Sequence, residues 1–345
     1  MSPHNASPSE CPATTVPACL AEGEAPLVSV DGLHVWFALP SGRELHAVQG
    51  VSFDLERGVR LGLVGESGCG KTTTILSMMG LLPPSASVAG AVSLRGENIL
   101  ARGEQSVRSH RWTDIAMVFQ GAMNSLNPVK TVGSQVVEAM EYHNVAHGEA
   151  ARTRAGELFE MLGISAQSGA RFPHEFSGGM RQRAAIAMAL SCSPDVLLAD
   201  EPTTALDVMV QAQIGELLVG LTRELGMAMV LVTHDLPLVA QLCERVAVMY
   251  AGKIVESGPM DAVFHRPRHP YTRMLFAATP DLYDKERVVS IPGAPPQLDR
   301  RIDGCAFAPR CDSASDRCRV QHPRLLDIGP QHKAACHAKD PGACT

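Results

Sequence analysis

The sequence predicts an α/β fold with a mostly parallel sheet covered by helices on both sides. Short apolar runs typical of buried strands alternate with longer segments whose apolar residues recur at helical spacing. Strands that alternate with helices indicate a parallel sheet with both faces covered. Hydrophobic residues make up 45% of the chain, which is ample for such a core.

Length and charge set the outer limits of the prediction. The 345 residues leave room for about two domains of roughly 150 residues each. Residues 1–26 are rich in Pro, Ala and Ser, so we expect them to form a flexible tail. They lack the basic start and apolar stretch of a secretory signal. No apolar run approaches the roughly 18 residues that cross a bilayer. The net charge of −6 argues against a nucleic-acid partner.

The elements follow in order along the chain. Strands are predicted near 27–39, 46–55 and 59–65, each bounded by Gly, Asp or Pro. Helices are predicted within 131–163 and after Ser177, then a buried strand at 196–199. One further helix is predicted with an apolar face that consists of Val210, Ile214, Leu217, Leu221 and Leu225. A strand follows it at 229–233. Past Gly258 the periodicity fades and Pro, His and Arg multiply, so we expect a domain boundary near 259.

A phosphate-binding loop is predicted between the strand at 61–64 and the helix that follows it. The segment GESGCGKT, residues 65–72, fits the pattern GxxxxGK[ST]. Its glycines let backbone N–H groups wrap nucleotide phosphates at a helix N-terminus. We expect Lys71 to contact the β- and γ-phosphates and the Thr72 hydroxyl to bind Mg²⁺.

A pair of carboxylates follows the buried strand at 196–199. Four apolar residues ending in Asp200 and Glu201 describe a strand that delivers both acids to the carboxyl edge of the sheet, where ligands bind. We expect Asp200 to hold Mg²⁺ through water and Glu201 to orient or deprotonate an attacking water molecule.

A second anion-binding helix start is predicted in the segment FSGGMRQR, residues 176–183. Ser177 can cap the helix while Gly178 and Gly179 expose its N–H groups. One nucleotide does not need two such cradles in one subunit, whereas two subunits arranged head to tail would each donate one. Here the chain resembles the ATP-binding-cassette family, whose signature motif is LSGGQ followed by a basic helix.

The resemblance implies roles for further residues, each at a position that matches a family motif. Gln120 matches the glutamine that senses Mg²⁺ and water, and Ala205-Leu206-Asp207 matches the loop that communicates across the dimer. His234 matches the histidine that contacts the γ-phosphate. Phe37 matches the aromatic residue that stacks on adenine, and Trp36 is the alternative for that role. The full nucleotide set implied is Phe37, Gly65, Glu66, Ser67, Gly68, Cys69, Gly70, Lys71, Thr72, Thr73, Ser177, Gly178, Gly179 and Asp207. The catalytic residues implied by the resemblance are Lys71, Gln120, Glu201 and His234. The implied Mg²⁺ ligands are Thr72, Gln120 and Asp200.

The resemblance covers residues 27–258 and implies a RecA-like core with an antiparallel β subdomain and a helical subdomain at about 127–178. FSGGM in place of LSGGQ, and the stretch at 120–135, look like the versions found in peptide-importer ATPases. The motifs HPYT, PGAPP and GCAFAPRC look like the C-terminal extension of oligopeptide/dipeptide transporters. We therefore assign residues 259–345 to a small irregular extension that contains cysteines.

Cysteines cluster in that extension. Cys305, Cys311, Cys318 and Cys336 can hold a 4Fe–4S cluster or a tetrahedral Zn²⁺, with Cys344 as a substitute ligand. Structural zinc sites more often use pairs about two to four residues apart, and these gaps are wider, which favours iron–sulfur. Free or transiently paired thiols, including a redox sensor that regulates the ATPase, are the alternative. Cys69, Cys192 and Cys243 are predicted to be packing residues.

The resemblance implies an ATPase that couples hydrolysis to the uptake of short peptides, bound peripherally at the cytoplasmic face of the inner membrane. Two permease subunits, a second ABC ATPase in a heterodimer or homodimer, and an extracytoplasmic solute-binding protein are the implied partners. Two alternatives remain at this point. One is the same role for nickel or another small solute, and the other is a soluble ABC ATPase of repair or translation.

Overall fold

The computed structural model describes residues 25–101, 103–121, 125–204, 206–278, 290–300 and 302–339. Within these ranges the strands form a sheet of eight and a sheet of four. The strands are β1 (Val28–Ala38), β2 (Glu44–Leu55), β3 (Arg60–Val64), β4 (Ala86–Leu94), β5 (Glu97–Asn98), β6 (Ile115–Val118), β7 (Val196–Asp200), β8 (Ala228–Val232), β9 (Arg245–Tyr250), β10 (Lys253–Pro259), β11 (Leu326–Gly329) and β12 (His332–Ala334).

Helices surround these sheets. They are α1 (Lys71–Met78), α2 (Glu104–His110), α3 (Val132–Tyr142), α4 (Gly148–Met161), α5 (Gly178–Leu190), α6 (Val208–Glu224), α7 (Leu236–Leu242), α8 (Met260–His265), α9 (Pro270–Ala277) and α10 (Asp316–Val320). Of these, α1, α3, α4, α5 and α6 lie in predicted segments, whereas α2 and α7 to α10 were not predicted. Five of the helices begin at a side-chain cap that accepts a backbone N–H: α3 at Thr131, α5 at Ser177, α6 at Asp207, α7 at Asp235 and α9 at His269.

The larger sheet has the order β11-β12-β10-β9-β3-β8-β7-β6, and β9, β3, β8, β7 and β6 are mutually parallel. Every residue of β3, β7 and β8 is buried, because helices cover both faces of the sheet. Alternate residues of β7 therefore enter two cores: Leu197 and Ala199 pack with α5 and α6, whereas Val196 and Leu198 pack with α1. The predicted α/β class is confirmed.

Parallel strands bring their carboxyl ends to one edge of the sheet, and this geometry gathers the sequence motifs. The loop 65–70 follows β3, Gln120 follows β6, Glu201 follows β7 and His234 follows β8. Residues far apart in the chain thus meet at the edge where ligands bind in such sheets.

The smaller sheet has the order β2-β1-β4-β5, and all its pairs are antiparallel. Its long strands β1 and β2 carry Phe37 and Leu45 as neighbours in register. This arrangement brings an aromatic side chain beside the loop that follows β3.

Helices α3 and α4 pack with α5, as the apolar spacing in 131–163 predicts, and their buried residues belong to the same core as those of α6 and one face of β7. The predicted face of α6 is partly wrong: Leu218 is fully buried, whereas Leu217 is only partly buried and Leu225 is 39% exposed. The contact of α6 with α7 moves the buried stripe to Ile214, Leu218 and Leu221.

The C-terminal residues add to the same body. Strand β12 pairs antiparallel with β10, where Glu256 lies opposite Ala334. The side chains of Tyr271 and Phe307 are buried against Tyr250 of β9, with Tyr271–Phe307 ring centroids 5.4 Å apart. Within the described residues, none of the helices is long and apolar enough to cross a membrane.

Candidate functional site

The loop between β3 and α1 has a backbone that requires glycine. Gly65, Gly68 and Gly70 all have positive φ, at 148°, 77° and 105°. A Cβ at Gly65 would lie 2.2 Å from the Met249 carbonyl oxygen, and one at Gly70 would lie 2.6 Å from that of Ala47. Only glycine tolerates both the conformation and these close approaches, so the loop curls tightly at the start of α1.

Lys71 begins α1 and points back into this loop. It is only 7% exposed, and its ammonium donates hydrogen bonds to the carbonyl oxygens of Gly65, at 2.7 Å, and Glu66, at 3.0 Å. A buried cation held by loop carbonyls, beside N–H groups at a helix N-terminus, makes a site suited to an anion.

Thr72 and Asp200 form an oxygen pair next to Lys71. The Thr72 hydroxyl donates to a carboxylate oxygen of Asp200 at 3.1 Å, and Asp200 is 2% exposed. Burial is the main cause that raises the pKa of Asp200, since water cannot reach the carboxylate to stabilise its charge. A desolvated carboxylate beside a hydroxyl is a hard-oxygen donor set that fits Mg²⁺, which would restore the lost stabilisation of the charge.

Glu201 holds the centre of a polar cluster at the sheet edge. One carboxylate oxygen accepts from the amide of Gln120 at 2.8 Å and from the Thr204 hydroxyl at 2.9 Å, and the other lies 3.0 Å from Nδ1 of His234. Burial alone would raise the pKa of Glu201, but hydrogen bonds with His234 and Thr204 outweigh it, and the pKa lies below its ordinary value. Glu201 is therefore ionised at neutral pH and can accept a proton.

Glu201 also has a backbone φ of 44°, a strained value for a residue other than glycine. Its N–H donates to the carbonyl oxygen of Val232 at the end of β8, 2.8 Å away. The neighbouring strand thus holds the strained backbone that presents this carboxylate.

One open cavity of about 720 Å³ brings most of these groups together. Its wall includes Ser67, Gly68 and residues 70–73 of the loop, together with Gln120, Glu201 and His234, and it has an apolar side with Phe37, Leu45 and Ala47. Of the loop residues and the carboxylate pair expected at the site, Gly65, Glu66, Cys69 and Asp200 do not line it. Of the two candidate aromatics, Phe37 lines this cavity, whereas Trp36 stacks on His46, with ring centroids 4.7 Å apart, and faces another cavity.

Three C-terminal residues complete that wall and were missed by sequence reasoning: Pro295, Pro296 and Leu298. Their segment is fixed to β2, since the His46 N–H donates to the Leu298 carbonyl at 3.1 Å and Arg43 pairs with Asp299 at 2.7 Å. The PGAPP motif predicted only an extension, because nothing in a proline-rich turn indicates which distant surface it covers.

The second predicted cradle lies outside this cavity. Ser177 caps α5 by accepting the N–H of Met180 at 3.3 Å, and Asp207 caps α6 through the N–H of Val210 at 3.0 Å. A Cβ at Gly179 would lie 2.9 Å from the Val210 side chain, so the two helix starts are neighbours. None of Ser177, Gly178, Gly179 and Asp207 lines the cavity with Lys71. Ala205, and residues 122–124 of the stretch after Gln120, fall outside the described residues.

Cys305, Cys311, Cys318 and Cys336 all line one cavity of about 400 Å³. However, in the part of the chain that the structure describes, no group of three or more His, Cys, Asp or Glu side chains could hold a metal ion. The expected 4Fe–4S cluster or zinc is therefore not supported, because the thiols border a cavity without forming a ligand set. The Cys318 thiol lies 3.3 Å from the Ser315 hydroxyl, and burial is the main cause that raises the pKa of Cys305 and Cys311.

The remaining cysteines divide into two groups. Cys69, Cys192 and Cys243 are each buried, at 5%, 6% and 6% exposed, and none forms a disulfide. Cys11, Cys19 and Cys344 lie outside the described residues, as does most of the predicted tail.

Comparison with known proteins identifies two family regions. The ABC transporter family matches residues 48–204, and the family "Oligopeptide/dipeptide transporter, C-terminal region" matches residues 255–318. The chain is 48% identical over 296 residues to the probable peptide ABC transporter ATP-binding protein y4tR of Sinorhizobium fredii, covering 84% of this chain and 88% of the relative. It is 44% identical over 315 residues to the dipeptide transport ATP-binding protein DppD of Escherichia coli, covering 90% and 96%.

Solved structures agree with these regions. The dimeric post-hydrolysis state of the ATP-binding cassette MJ0796, bound to ADP and Pi, superposes with a TM-score of 0.60 at 27% identity, covering 68% of this chain and 98% of that one. CbiO1 of Clostridium perfringens, part of the complex cbiONQ, gives 0.59 at 30% identity, covering 70% and 92%. With the phosphate-binding loop, the carboxylate pair and these relatives in place, the chain belongs to the ATP-binding subunits of the ABC transporter family, which hydrolyse ATP to power transport.

Proposed function

We propose that this chain is the ATP-hydrolysing subunit of an importer that takes up short peptides across the cytoplasmic membrane. The observation that carries the proposal is the combination of an ABC cassette with the oligopeptide/dipeptide transporter C-terminal region in one chain. Relatives at 44–48% identity are named as peptide or dipeptide transport proteins, which favours peptides over nickel as the cargo.

The hydrolysis that we propose follows from the sheet edge. ATP would lie with its phosphates in the loop 65–72 and its base against Phe37. Glu201, ionised and hydrogen-bonded, would accept a proton from the attacking water, and Gln120 and His234 would hold that water and the γ-phosphate in line. Thr72, Asp200 and Gln120 would hold Mg²⁺, which supplies positive charge to the phosphate oxygens when bound.

We further propose that the site is completed by a partner subunit. The start of α5 lies outside the cavity that Lys71 lines, although its capped N-terminus suits an anion. A head-to-tail dimer would bring Ser177, Gly178 and Gly179 of one subunit to the nucleotide of the other, with Asp207 beside them. Closing and reopening of this dimer would drive the permeases.

The remaining partners in the proposal are two permease subunits, a second ABC ATPase of the same or a different chain, and an extracytoplasmic solute-binding protein. The chain would sit peripherally on the cytoplasmic face of the membrane. This placement agrees with the finding that none of the described helices could span a bilayer.

Uptake by whole cells tests the cargo. In a strain that lacks this chain we expect loss of labelled dipeptide uptake, restored by the wild-type chain but not by Glu201→Gln. Free amino-acid uptake is the matched control and should not change. Normal dipeptide uptake together with lost nickel uptake would contradict the proposal.

A further inference from the structure

We propose that Arg310 and Tyr271, both in the C-terminal region, are positioning residues for the phosphate-binding loop and that they act through Glu66. Glu66 is the second residue of that loop and follows β3 directly. Its carboxylate and its backbone N–H both bond to the C-terminal region, and neither Glu66 nor its two partners lines the cavity that Lys71 lines.

Arg310 holds the carboxylate of Glu66 in a bidentate pair. Its two terminal nitrogens lie 2.7 Å and 2.9 Å from the two oxygens, and its side chain is only 4% exposed. Its third nitrogen donates to the Pro292 carbonyl at 2.7 Å, and the Tyr250 hydroxyl lies 3.2 Å away. Because the planar guanidinium bonds to Pro292 and to both carboxylate oxygens, it fixes the orientation of the Glu66 carboxylate and also neutralises its charge.

Tyr271 holds the backbone of the same residue. Its hydroxyl accepts the N–H of Glu66 at 2.8 Å, and the residue is fully buried. The ring packs against Tyr250 and Phe307, with centroids 4.6 Å and 5.4 Å away. Because packing fixes the ring, the hydroxyl is a fixed acceptor that sets the orientation of the Glu66 N–H.

Glu66 connects these contacts to the reaction. Its carbonyl oxygen accepts a hydrogen bond from Lys71 at 3.0 Å and another from the N–H of Cys69 at 3.3 Å. The residue that Arg310 and Tyr271 hold through its side chain and its N–H therefore also carries the carbonyl that binds Lys71 and closes the turn of the loop. A loop ordered before the phosphates arrive loses less conformational entropy on binding, so affinity rises.

The inference concerns ATP binding and goes beyond the proposed peptide import. Nucleotide binding to the full-length chain can be measured without permeases or cargo. Failure of one proposal therefore leaves the other standing.

Equilibrium binding of ATP with Mg²⁺ to full-length variants tests the inference. Tyr271→Phe removes only the hydroxyl, and we expect the Kd for ATP to rise about fivefold, the usual effect of one hydrogen bond. Arg310→Lys keeps the charge but loses the bidentate geometry, and we expect a rise of about tenfold. The matched control is Arg273→Lys, because Arg273 pairs with Asp312 at 3.2 Å on the exposed surface of the same region. That variant should bind ATP like the parent.

Thermal unfolding of the same variants without nucleotide separates positioning from a merely structural role. A lower unfolding temperature with an unchanged Kd for both variants would overturn the inference. If Arg310→Lys does not fold, the Kd of Tyr271→Phe alone decides the test, because phenylalanine keeps the shape of the buried tyrosine ring.

A double-mutant cycle supplies a second measurement. Glu66→Gln and Arg310→Lys change the two partners of one bidentate ion pair, so the double variant should weaken ATP binding by less than the product of the two single effects. Independent, multiplying effects would mean that Arg310 does not act through Glu66.

Discussion

Neighbouring side chains decide the role of each residue at the nucleotide site. Asp200 and Glu201 are adjacent in the chain, yet their environments differ. Asp200 is buried with the Thr72 hydroxyl, and burial raises its pKa, whereas hydrogen bonds lower the pKa of Glu201. This difference in pKa supports the roles that we propose, with Asp200 as a Mg²⁺ ligand and Glu201 as the general base.

Replacing Glu201 tests the general base. We expect Glu201→Gln to bind ATP as tightly as the parent but to lower hydrolysis by about 10²–10⁴-fold, the usual contribution of a general base. Single-turnover phosphate release, alongside ATP binding, measures both effects. Glu216→Gln on the exposed side of α6 is the matched control and should hydrolyse normally. Turnover of Glu201→Gln at the parental rate would remove Glu201 from this role.

The dependence of hydrolysis on pH tests the His234 contact. Because the pKa of Glu201 lies below its ordinary 4.5, the base stays ionised until the pH falls through that lowered value. His234→Ala removes a hydrogen bond that lowers this pKa, so the acid limb of the residual kcat should move to higher pH. Thr204→Val should move it in the same direction by less. An acid limb that stays in place in both variants would contradict this account.

We expect the Asp200 carboxylate to lower the folding stability of the nucleotide-free chain, although it serves the proposed Mg²⁺ site. Burial raises its pKa, so its ionised form costs stability at neutral pH when no cation is bound. We expect Asp200→Asn to raise the unfolding temperature of the nucleotide-free chain by about 2–4 °C and to abolish the Mg²⁺ dependence of ATP binding. The exposed Asp261→Asn, on α8, should change neither quantity. A lower unfolding temperature in Asp200→Asn would show that the carboxylate stabilises the empty site.

At the scale of elements, helix caps serve two purposes that mutation can separate. Thr131 caps α3 and Ser177 caps α5, each through the N–H three residues later, at 3.4 Å and 3.3 Å. The two caps are alike in geometry, but only α5 begins in the signature segment. Thr131 therefore provides a matched control for the function of Ser177.

We expect Ser177→Ala and Thr131→Ala each to lower the free energy of unfolding by about 1 kcal/mol, the usual value of a cap. Only Ser177→Ala should also reduce ATP-dependent dimer formation, because its hydroxyl and helix start face the partner's nucleotide in the proposed dimer. Analytical ultracentrifugation with ATP measures this difference. Equal dimer formation by the two variants would confine Ser177 to a capping role.

At the scale of the whole molecule, sequence reasoning predicted what depends on local pattern. The glycines of the loop, the apolar strand before Asp200 and the cap at Ser177 are local signals, and the parallel sheet assembles them at one edge. Contacts over long distances in the chain had no such signal. Arg310 pairs with Glu66, and Leu298 bonds to His46, only because β12 and the packed rings fold the C-terminal region back onto the cassette.

For the cysteines, sequence reasoning predicted a metal site that the structure does not support. Cys305, Cys311, Cys318 and Cys336 do come together at one cavity, so the spacing correctly predicted that they are neighbours. It could not predict the distances between thiols, which depend on how the short segments around Arg310 and α10 pack. Among the described residues those distances leave no metal-ligand group.

The separation of Lys71 from Ser177 gives the proposed dimer a test at the scale of the whole assembly. In a head-to-tail pair, each site combines the loop of one subunit with the α5 start of the other.

Mixing Lys71→Ala with Ser177→Ala subunits therefore creates a pair with one doubly damaged site and one intact site. We expect each variant alone to be nearly inactive and the mixture to regain up to about a quarter of the parental ATPase activity, because random pairing makes about half the dimers mixed. The control mixes Lys71→Ala with Glu201→Gln, which line the same cavity, so each site of a mixed pair keeps one damaged residue and this mixture should stay inactive. Mixtures that stay inactive while the parental chain hydrolyses ATP would mean that each subunit builds its site alone.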